Sequence, residues 1–324
     1  MTDPSKTTLR LAADPAGIGR AAELLRRGGL VAFPTETVYG LGADAASAEA
    51  VAGVYAAKGR PRFNPLIAHV ADLDAARRQG SFGADALALA RAFWPGPLTL
   101  VVPAAPGCTL SDLARAGLDS VALRVPAHPV ALALIAAAGR PVAAPSANRS
   151  GRISPTAADH VHADLDGRID AVLDGGATAV GVESTILSCL GEPTLLRPGG
   201  TTRGAIEAVL GRSLADAAPG GPAIAPGMLL SHYAPRAVVR LDAEALRPGE
   251  AGLDFGGRFA GQGGAVLDLS PRRDLAEAAA NLFGFLRRLD EDLGGTGAIA
   301  VAPIPPSGLG EAIRDRLARA AAQR

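Results

Sequence analysis

Apolar runs that alternate with segments of helical periodicity predict a layered α/β fold over the first two thirds of the chain. Several strand candidates are continuous apolar runs, which is typical of strands that are covered on both faces of a sheet. We therefore predict one large domain over residues 1–210, with helices on both faces of its sheet. The strand candidates are residues 8–12, 30–33, 66–70, 98–102, 120–125, 142–144, 171–173, 184–188 and 194–196. The helix candidates are residues 16–27, 48–57, 84–93, 129–138, 156–163 and 203–210.

The pattern changes after residue 210. Residues 211–236 are rich in glycine and proline and are predicted to form a linker. The end of this linker, "PGMLLSHYAP", carries His232 and Tyr233 among apolar residues, which a plain spacer does not need, so we interpret it as a lid. A small α/β domain of βαβ type is predicted over residues 237–324. Its strand candidates are residues 238–241, 265–269 and 298–301, and its helix candidates are residues 273–293 and 309–322.

Composition and charge exclude several classes of protein. No apolar run is long enough to span a bilayer, and the first residues lack the build of a signal peptide. Only two cysteines are present, Cys108 and Cys189, without a pairing motif, so we expect a reducing cytoplasmic location. The formal net charge is zero, which argues against tight electrostatic binding of nucleic acid.

Lysine is almost absent from the chain. Lysine and arginine together number 32, yet only Lys6 and Lys58 are lysines. This bias suggests that arginine replaces lysine wherever a plain surface charge is enough, so a retained lysine is a candidate for a chemical role. Chance retention is the alternative for Lys58.

The segment "KGRPRFNPLIAHV" is the main candidate for binding a polyphosphate. Lys58 ends a helix, and a glycine with two prolines then imposes a rigid turn. Arg60, Arg62 and Asn64 project from that turn, and His69 lies at the end of the next strand. Cationic groups on rigid backbone suit phosphate oxygens. An arginine-rich surface turn is the alternative.

Polar groups also follow the strand candidate at residues 142–144, in "PSANRSGRISPT". Ser146, Asn148 and Ser154 are closely spaced there, and small donors with exposed amides at a strand end can hold phosphate oxygens. An ordinary capped loop is the alternative, and it accounts well for Ser154, since Pro155 follows it as the first residue of a helix would.

Arg124 lies inside the apolar strand "SVALRVP". A charge in that position needs a partner, which could be the carboxylate of a ligand or a carboxylate of the chain itself. Ser184 begins another strand and Arg197 ends one, so each has the same kind of position at a strand terminus.

Taken together and in this order, the motifs resemble the threonylcarbamoyl-AMP synthase family, whose core is the YrdC-like domain. They are "FPTETVYGLGADA", "KGRPRFNPL", "PGPLTLVV", "ALRVP", "APSANRSG", "EST" and "LRPG", and they span residues 30–199. The linker and the small domain resemble the longer, two-domain form. The resemblance implies a large twisted mixed sheet with helices on both faces, joined by a long linker to a small Rossmann-like domain.

The resemblance also implies an activity. Members of the family are nucleotidyltransferases that join L-threonine, bicarbonate and ATP into threonylcarbamoyl-adenylate and release pyrophosphate. A separate complex then modifies an adenosine beside the anticodon of tRNA with this product. Mg²⁺ would bridge phosphate oxygens of ATP, and we expect no metal held by the protein itself.

The family pattern assigns site residues to positions of this sequence. Lys58 and Arg60 would be catalytic, because they offset negative charge as the adenylate forms. The residues expected to contact threonine are Thr37, His69, Arg124, Ala144 and Ser184. The residues expected to contact ATP are Arg60, Asn64, Ser120, Ser146, Asn148, Ser154, Arg197, His232 and Tyr233.

Two other functions stay open on the sequence alone. The same concave domain could serve as an RNA-binding or regulatory module, because a fold does not determine a function. It could also belong to a carbamoyltransferase that handles carbamoyl-adenylate. The absence of a basic excess disfavours the first alternative. The second predicts further domains with metal-binding cysteines, which two distant cysteines do not supply.

Overall fold

The computed structural model describes residues 7–61, 64–217 and 233–322. In the first part of the chain, eleven strands of the described residues form one mixed sheet. Its order is β1-β8-β2-β3-β7-β4-β6-β5-β9-β10-β11. The strands are β1 (Leu9–Ala12), β2 (Val31–Pro34), β3 (Tyr39–Asp44), β4 (Ile67–His69), β5 (Leu98–Pro103), β6 (Ser120–Arg124), β7 (Val142–Ala143), β8 (Ala171–Asp174), β9 (Thr185–Ser188), β10 (Thr194–Arg197) and β11 (Ala215–Asp216).

Helices cover both faces of this sheet. Side chains of β2 alternate between two apolar cores, with Val31 and Phe33 on one face and Ala32 on the other. The prediction of a mixed sheet between helical layers is confirmed. The helices are α1 (Pro15–Arg26), α2 (Ala48–Lys58), α3 (Leu73–Gln79), α4 (Ala84–Phe93), α5 (Asp112–Arg115), α6 (Pro129–Ala138), α7 (Ala158–Leu165) and α8 (Arg203–Leu210).

Capping residues determine where helix α2 begins and ends. The side chain of Ser47 accepts a hydrogen bond from Ala50 N at the amino end. Gly59 ends the helix in the left-handed conformation, with φ of 62°. As a result Lys58 occupies the last turn, directly before the predicted phosphate-binding segment.

Strands β2 and β3 form a hairpin that the sequence pattern did not predict. The strands are antiparallel, and Pro34 pairs with Tyr39 around a turn at residues 35–38. Gly42 lies beneath the ring of Phe33, where a Cβ atom would come within 2.8 Å of Cε1. A glycine in a strand often marks such a close approach. The segment "FPTETVYGLGADA" is therefore a hairpin with a polar turn.

The second domain has a parallel sheet of four strands in the order β12-β15-β13-β14. The prediction of a small α/β domain is confirmed, although the strand at 250–254 and the helices at 73–79 and 112–115 were not foreseen. None of the described helices combines the length and the apolar character that a bilayer crossing requires. The elements are β12 (Val238–Arg240), β13 (Glu250–Asp254), β14 (Val266–Asp268), α9 (Leu275–Asp292), β15 (Ala298–Val301) and α10 (Leu309–Ala321).

The two domains share an apolar interface. Val38, Ile153 and Val182 of the first domain belong to the same buried cluster as Leu282 and Phe283 of α9. A loop before β9 approaches α9 so closely that a Cβ atom on residue 181, a glycine with φ of 76°, would lie 2.2 Å from a carbonyl oxygen of the helix. The interface between the domains is therefore apolar and closely packed, like the interior of a single domain.

The predicted domain boundaries at residues 210 and 236 stay a prediction. Strand β11 lies beyond residue 210 and pairs in parallel with β10, so the large sheet continues into the predicted linker. Residues 218–232, which form most of that linker and include His232, lie outside the described residues.

Candidate active site

A buried polar cavity lies where the hairpin turn, the ends of β4 and β6, and the loop after β7 meet. It encloses about 50 Å³, well below the roughly 300 Å³ or more that is usual for ligand pockets. The residues that line it are Thr35, Thr37, Val38, Gly40, Arg60, Ile67, His69, Arg124, Ala144, Pro145, Ser146, Glu183, Ser184, Arg197 and Tyr233.

The turn of the β2–β3 hairpin supplies a carboxylate to this site. The hydroxyl of Thr35 donates to the Val38 carbonyl oxygen at 2.7 Å, which holds the turn closed. Glu36 then lies 2.7 Å from Nη2 of Arg124, and both side chains are almost fully buried. Arg124 therefore has a carboxylate partner within the chain, which was one of the two alternatives for it.

Arg124 reaches the cavity together with Thr37. Its Nη2 atom donates to the hydroxyl of Thr37 at 3.0 Å, and its Nε atom donates to the Gly96 carbonyl oxygen at 3.3 Å. Nη1 takes part in none of these contacts. The guanidinium group is thus held in a fixed orientation with one amino group available to a ligand carboxylate.

His69 is held beside Arg124 in a neutral form. The two residues are register partners in the parallel pair β4–β6. Burial, and then the charge of Arg124, lowers the pKa of the His69 imidazole to about 3. Its Nδ1 atom is buried without a hydrogen-bond partner in the described structure. A buried ring nitrogen without a partner is a natural contact for a polar ligand group.

Lys58 lies behind the cavity wall. Its Nζ atom donates to the carbonyl oxygen of Ser146 at 2.5 Å and to that of Asn148. Burial, and then the charge of Arg60, holds the pKa of the Lys58 ammonium well below its usual value. The amine ties the end of α2 to the loop after β7, and the predicted direct role in catalysis stays a prediction.

Arg60 and Arg197 both carry positive charge to the cavity lining. Burial lowers the pKa of the Arg60 guanidinium to about 10, so the group stays cationic at neutral pH, and its Nε atom is buried without a partner. Arg197 donates through Nη2 to the carbonyl oxygen of Ser184 at 2.8 Å. With Arg124, the described lining holds three guanidinium groups against the single carboxylate of Glu183.

The loop after β7 contributes polar groups that are already oriented. Ser146 lines the cavity, and Asn148 donates through Nδ2 to the carbonyl oxygens of Arg149 and Arg152, both at 2.8 Å. Oδ1 of Asn148 is buried without a partner. The hydroxyl of Ser154 donates to Oε1 of Glu183 at 2.5 Å. Of these three residues only Ser146 is part of the lining, and Ser154 is connected to the lining through Glu183.

The other predicted residues fall into three groups. Ala144, Ser184 and Tyr233 line the cavity, as expected. Ser120 is on the same face of β6 as Arg124 but about 13 Å further along the strand, and it is not part of the lining. Asn64 is buried, and its Oδ1 atom has no partner within the described ranges.

Two contributors were given no site role from the sequence: Glu183, a polar residue at the start of the strand in "VESTILS", and Arg316. Burial alone would raise the pKa of the Glu183 carboxyl, but Arg316, Arg197 and the hydroxyl of Ser154 outweigh burial and lower it to about 2. Arg316 comes from α10 in the second domain. It lies on the buried face of α10 with Ile313 and Leu317, and an arginine at such a position is a signal that the sequence did carry.

The described lining does not fit a metal ion held by the protein. Its only carboxylate, Glu183, already accepts hydrogen bonds from Ser154 and Arg316. Among the residues that the structure describes, no group of three or more histidine, cysteine, aspartate or glutamate side chains is placed to hold a metal ion. The described lining residues therefore have no assigned role as metal ligands in the proposed reaction.

Comparison with family models divides the chain into two matched regions. Residues 23–199 match the Sua5, YciO and YrdC family model, which is described as telomere recombination. Residues 201–322 match the carboxy-terminal domain of threonylcarbamoyl-AMP synthase. The division agrees with two domains in this order along the chain.

Relatives match nearly the whole chain. The threonylcarbamoyl-AMP synthase of Bacillus subtilis is 44% identical over 338 residues, which covers 98% of this chain and 96% of the relative. That of Pyrococcus abyssi is 41% identical over 322 residues and covers 94% of both chains. A crystal structure of P. abyssi Sua5 complexed with L-threonine superposes with a TM-score of 0.87 at 39% identity, over 97% of both chains. The chain thus belongs to the threonylcarbamoyl-AMP synthase family, in its two-domain form.

Proposed function

We propose that this chain is an enzyme that forms threonylcarbamoyl-AMP and pyrophosphate from L-threonine, bicarbonate and ATP. The observation that carries the proposal is the cavity with three inward-facing guanidinium groups, in a chain whose full-length relatives are named for this product. All three substrates are anions or carry a carboxylate, so a cationic and enclosed site suits them.

Threonine binds at the end of the cavity where β4, β6 and the hairpin turn meet. Arg124, already oriented by Glu36, takes the carboxylate of threonine through its remaining amino group. Thr37, the neutral imidazole of His69, the Ala144 backbone and Ser184 surround the rest of the amino acid. L-threonine is also the ligand in the complex of P. abyssi Sua5, a chain that is similar over nearly its full length.

ATP binds at the opposite end. Arg60 and Arg197 face its phosphates, Ser146, Asn148 and Ser154 contribute small polar groups, and Tyr233 covers the nucleotide. Asn64, Ser120 and His232 complete the proposed contacts, and His232 belongs to the part of the chain outside the described residues. Mg²⁺ enters as the companion of the ATP phosphates and is held by them.

Charge and positioning supply most of the rate. The carbamate of threonine must approach the α-phosphate, and two anions repel each other in a dry site. The guanidinium groups of Arg60 and Arg197 offset this repulsion and stabilise the charge that develops during adenylate transfer. A general base must lie within hydrogen-bond reach of the proton that it removes. The neutral imidazole of His69 could accept a proton, but in this proposal it lies beside the carboxylate of threonine and away from the reacting atoms. We therefore assign no general base among the described lining residues.

The proposed function also specifies the type of reaction and the fate of its product. The reaction is a nucleotidyl transfer, because AMP is transferred to the carbamate and pyrophosphate leaves. The product passes to a separate complex that modifies tRNA, in the cytoplasm. The lid predicted at the end of the linker lies outside the described residues, except for Tyr233, which lines the cavity.

The direct test is mass spectrometry of a reaction with ATP, L-threonine and ¹³C-bicarbonate. We expect an AMP-linked product that carries the label, together with pyrophosphate. Omission of threonine serves as the control and should abolish both. Pyrophosphate release at the full rate without threonine would identify a plain ATPase and refute the proposal.

A further inference from the structure

Arg316 crosses from the second domain into the wall of the active site. Its side chain is completely buried, although it belongs to a helix of the small domain. Its Nε atom donates to Oε2 of Glu183 at 2.6 Å, and Nη2 donates to the carbonyl oxygen of Pro198 at 3.0 Å. Nη1 donates to Asp315 of the same helix at 2.5 Å. Each nitrogen of the guanidinium group thus has a defined acceptor.

The same guanidinium group also orders Tyr233. Its Cζ atom lies 5.1 Å from the centroid of the Tyr233 ring, which is within the range of a cation–π contact. A second partner of the ring is Phe283 of α9, with the two rings stacked at a centroid distance of 5.5 Å. Tyr233 has a φ of 62°, an unfavourable backbone conformation for a tyrosine, so these contacts hold it in a conformation it would not adopt by itself.

Glu183 connects Arg316 with the groups that face the nucleotide. One carboxylate oxygen accepts from Arg316 and the other from the hydroxyl of Ser154. The charged neighbours of this carboxylate are Arg316 and Arg197, and Tyr233 and Asp315 act on the same cluster. A buried carboxylate stays ionised only if cations of this kind compensate its desolvation. Removal of Arg316 should therefore disturb Ser154 and Arg197 through Glu183.

We propose that Arg316 is a positioning residue for the nucleotide end of the site, so that docking of the second domain completes the ATP-binding wall. The proposal rests on the proposed function, since it assigns the cavity to threonylcarbamoyl-AMP synthesis. It gives the small domain a defined role: the domain supplies the cation that sets the orientation of Glu183 and of the Tyr233 ring, and it touches no substrate itself.

The test is a double-mutant cycle on the full-length chain, with Arg316→Gln, Glu183→Gln and the double variant. The readouts are kcat and KM for ATP and for threonine between about pH 5 and pH 8. We expect Arg316→Gln to lower kcat/KM for ATP by at least about tenfold and to change KM for threonine less than about twofold. In the Glu183→Gln background the same substitution should change kcat/KM for ATP by less than about threefold, because only the contact of Arg316 with the Tyr233 ring is then left to lose.

The pH profile provides a readout that a merely structural role would not change. In the wild type Glu183 stays ionised throughout this range. In Arg316→Gln, burial is less well compensated, so the pKa of the carboxyl rises and kcat/KM for ATP should fall as the pH is lowered towards 5. Glu183→Gln removes the titrating group, so the double variant should have a flat profile at acid pH.

Glu311→Gln is the matched control. Glu311 lies on the same helix and also makes an ion pair across the domain interface, at 2.7 Å from Arg203, but it touches no residue of the cavity. We expect its kinetic constants to stay within about twofold of wild type. If Arg316→Gln and Glu311→Gln give equal constants and equal pH profiles, Arg316 is only an interface residue and the proposal is wrong.

Two further outcomes are also decisive. If the wild type makes no threonylcarbamoyl-AMP, the proposed function fails before the Arg316 variants are compared. If Arg316→Gln does not fold, Arg316→Lys takes its place in the cycle, because it keeps the charge but cannot reach Glu183 and the Pro198 carbonyl together. An Arg316→Lys enzyme whose kcat/KM for ATP equals that of Glu311→Gln would also overturn the proposal, because the paired guanidinium contacts with Glu183 and Pro198 would then have no effect on the site.

Discussion

Two buried arginine–glutamate pairs stand beside the cavity, and they differ in the origin of their partners. Arg124 and Glu36 both belong to the first domain, at 2.7 Å. Arg316 comes from the second domain to meet Glu183, at 2.6 Å. The ion pair at the proposed threonine end therefore belongs to the first domain alone, whereas the pair at the proposed nucleotide end exists only when the two domains are docked. The comparison separates what one domain supplies from what the interface supplies.

Arg124→Gln should produce the largest effect, because it breaks the buried ion pair between Arg124 and Glu36, which lies entirely within the first domain. It removes the proposed partner of the threonine carboxylate and leaves Glu36 buried without its cation. We expect kcat/KM for threonine to fall at least about 100-fold, which corresponds to about 2.7 kcal/mol, and the free energy of unfolding to fall by about 3–5 kcal/mol.

Steady-state kinetics and urea unfolding measure these two losses. Arg10→Gln is the control, since the Arg10 side chain is 51% exposed in a surface ion pair with Asp159 and should matter little. A variant at Arg124 that unfolds like wild type and still binds threonine normally would show that the pair contributes to neither.

Lys58→Arg should have the next largest effect, and it should appear at the nucleotide end. The ammonium group of Lys58 donates to two carbonyl oxygens in a sealed space, which a larger planar guanidinium cannot reproduce. We expect turnover to fall about tenfold, or about 1.4 kcal/mol of transition-state stabilisation. Initial rates at saturating threonine with varied ATP measure this. Wild-type rates in Lys58→Arg would mean that retention of lysine at this position has no chemical cause.

Tyr233→Ala should have a smaller effect, confined to ATP. The ring contacts Arg316 and Phe283, so its loss should open the wall without disturbing the Arg124 pair. We expect KM for ATP to rise a few-fold, about 1 kcal/mol, with threonine binding unchanged. Calorimetric titration with threonine provides the comparison. Equal losses for both substrates would remove the distinction between the two ends.

His69 affects stability only at acid pH, so its effect is absent at the neutral pH of the comparisons above. Its pKa lies near 3 in the folded protein and near 6.5 when unfolded, so the unfolded state binds the extra proton between these values. Stability from this group is therefore complete above about pH 6.5 and declines as the pH falls towards 3. From pH 7 to pH 5 we expect wild type to lose about 2 kcal/mol more than His69→Asn in urea unfolding. Parallel pH profiles would contradict a neutral buried His69.

The sequence allowed most elements of the fold to be predicted, since apolar runs and helical periodicity report burial directly. Strand β3 escaped because its "YGLGAD" reads as a flexible loop, although Gly42 is required by the ring of Phe33 above it. Strand β13 was missed because Gly252 and flanking acidic residues interrupt its apolar pattern. Local sequence does not record a close approach to a distant side chain, so such strands become visible only in the folded chain.

The threonine end was easier to predict than the nucleotide end. Thr37, His69 and Arg124 come from motifs with recognisable local patterns, and the structure brings them together. The contact between Glu183 and Arg316 joins residues 133 positions apart, in different domains. Their pairing depends on how two cores dock, and no spacing within either motif encodes that.

The tie between Lys58 and the loop after β7 has a practical consequence. In a chain with one other lysine, Lys6, an amine-reactive reagent finds very few targets. The Lys58 amine is buried and donates to two carbonyl oxygens, so acylation at this position can proceed only when the loop separates from α2. Its labelling rate, followed by peptide mass spectrometry, therefore reports how readily the loop after β7 separates from α2. Acylation of Lys58 can thus serve as a built-in probe of local opening at the active site.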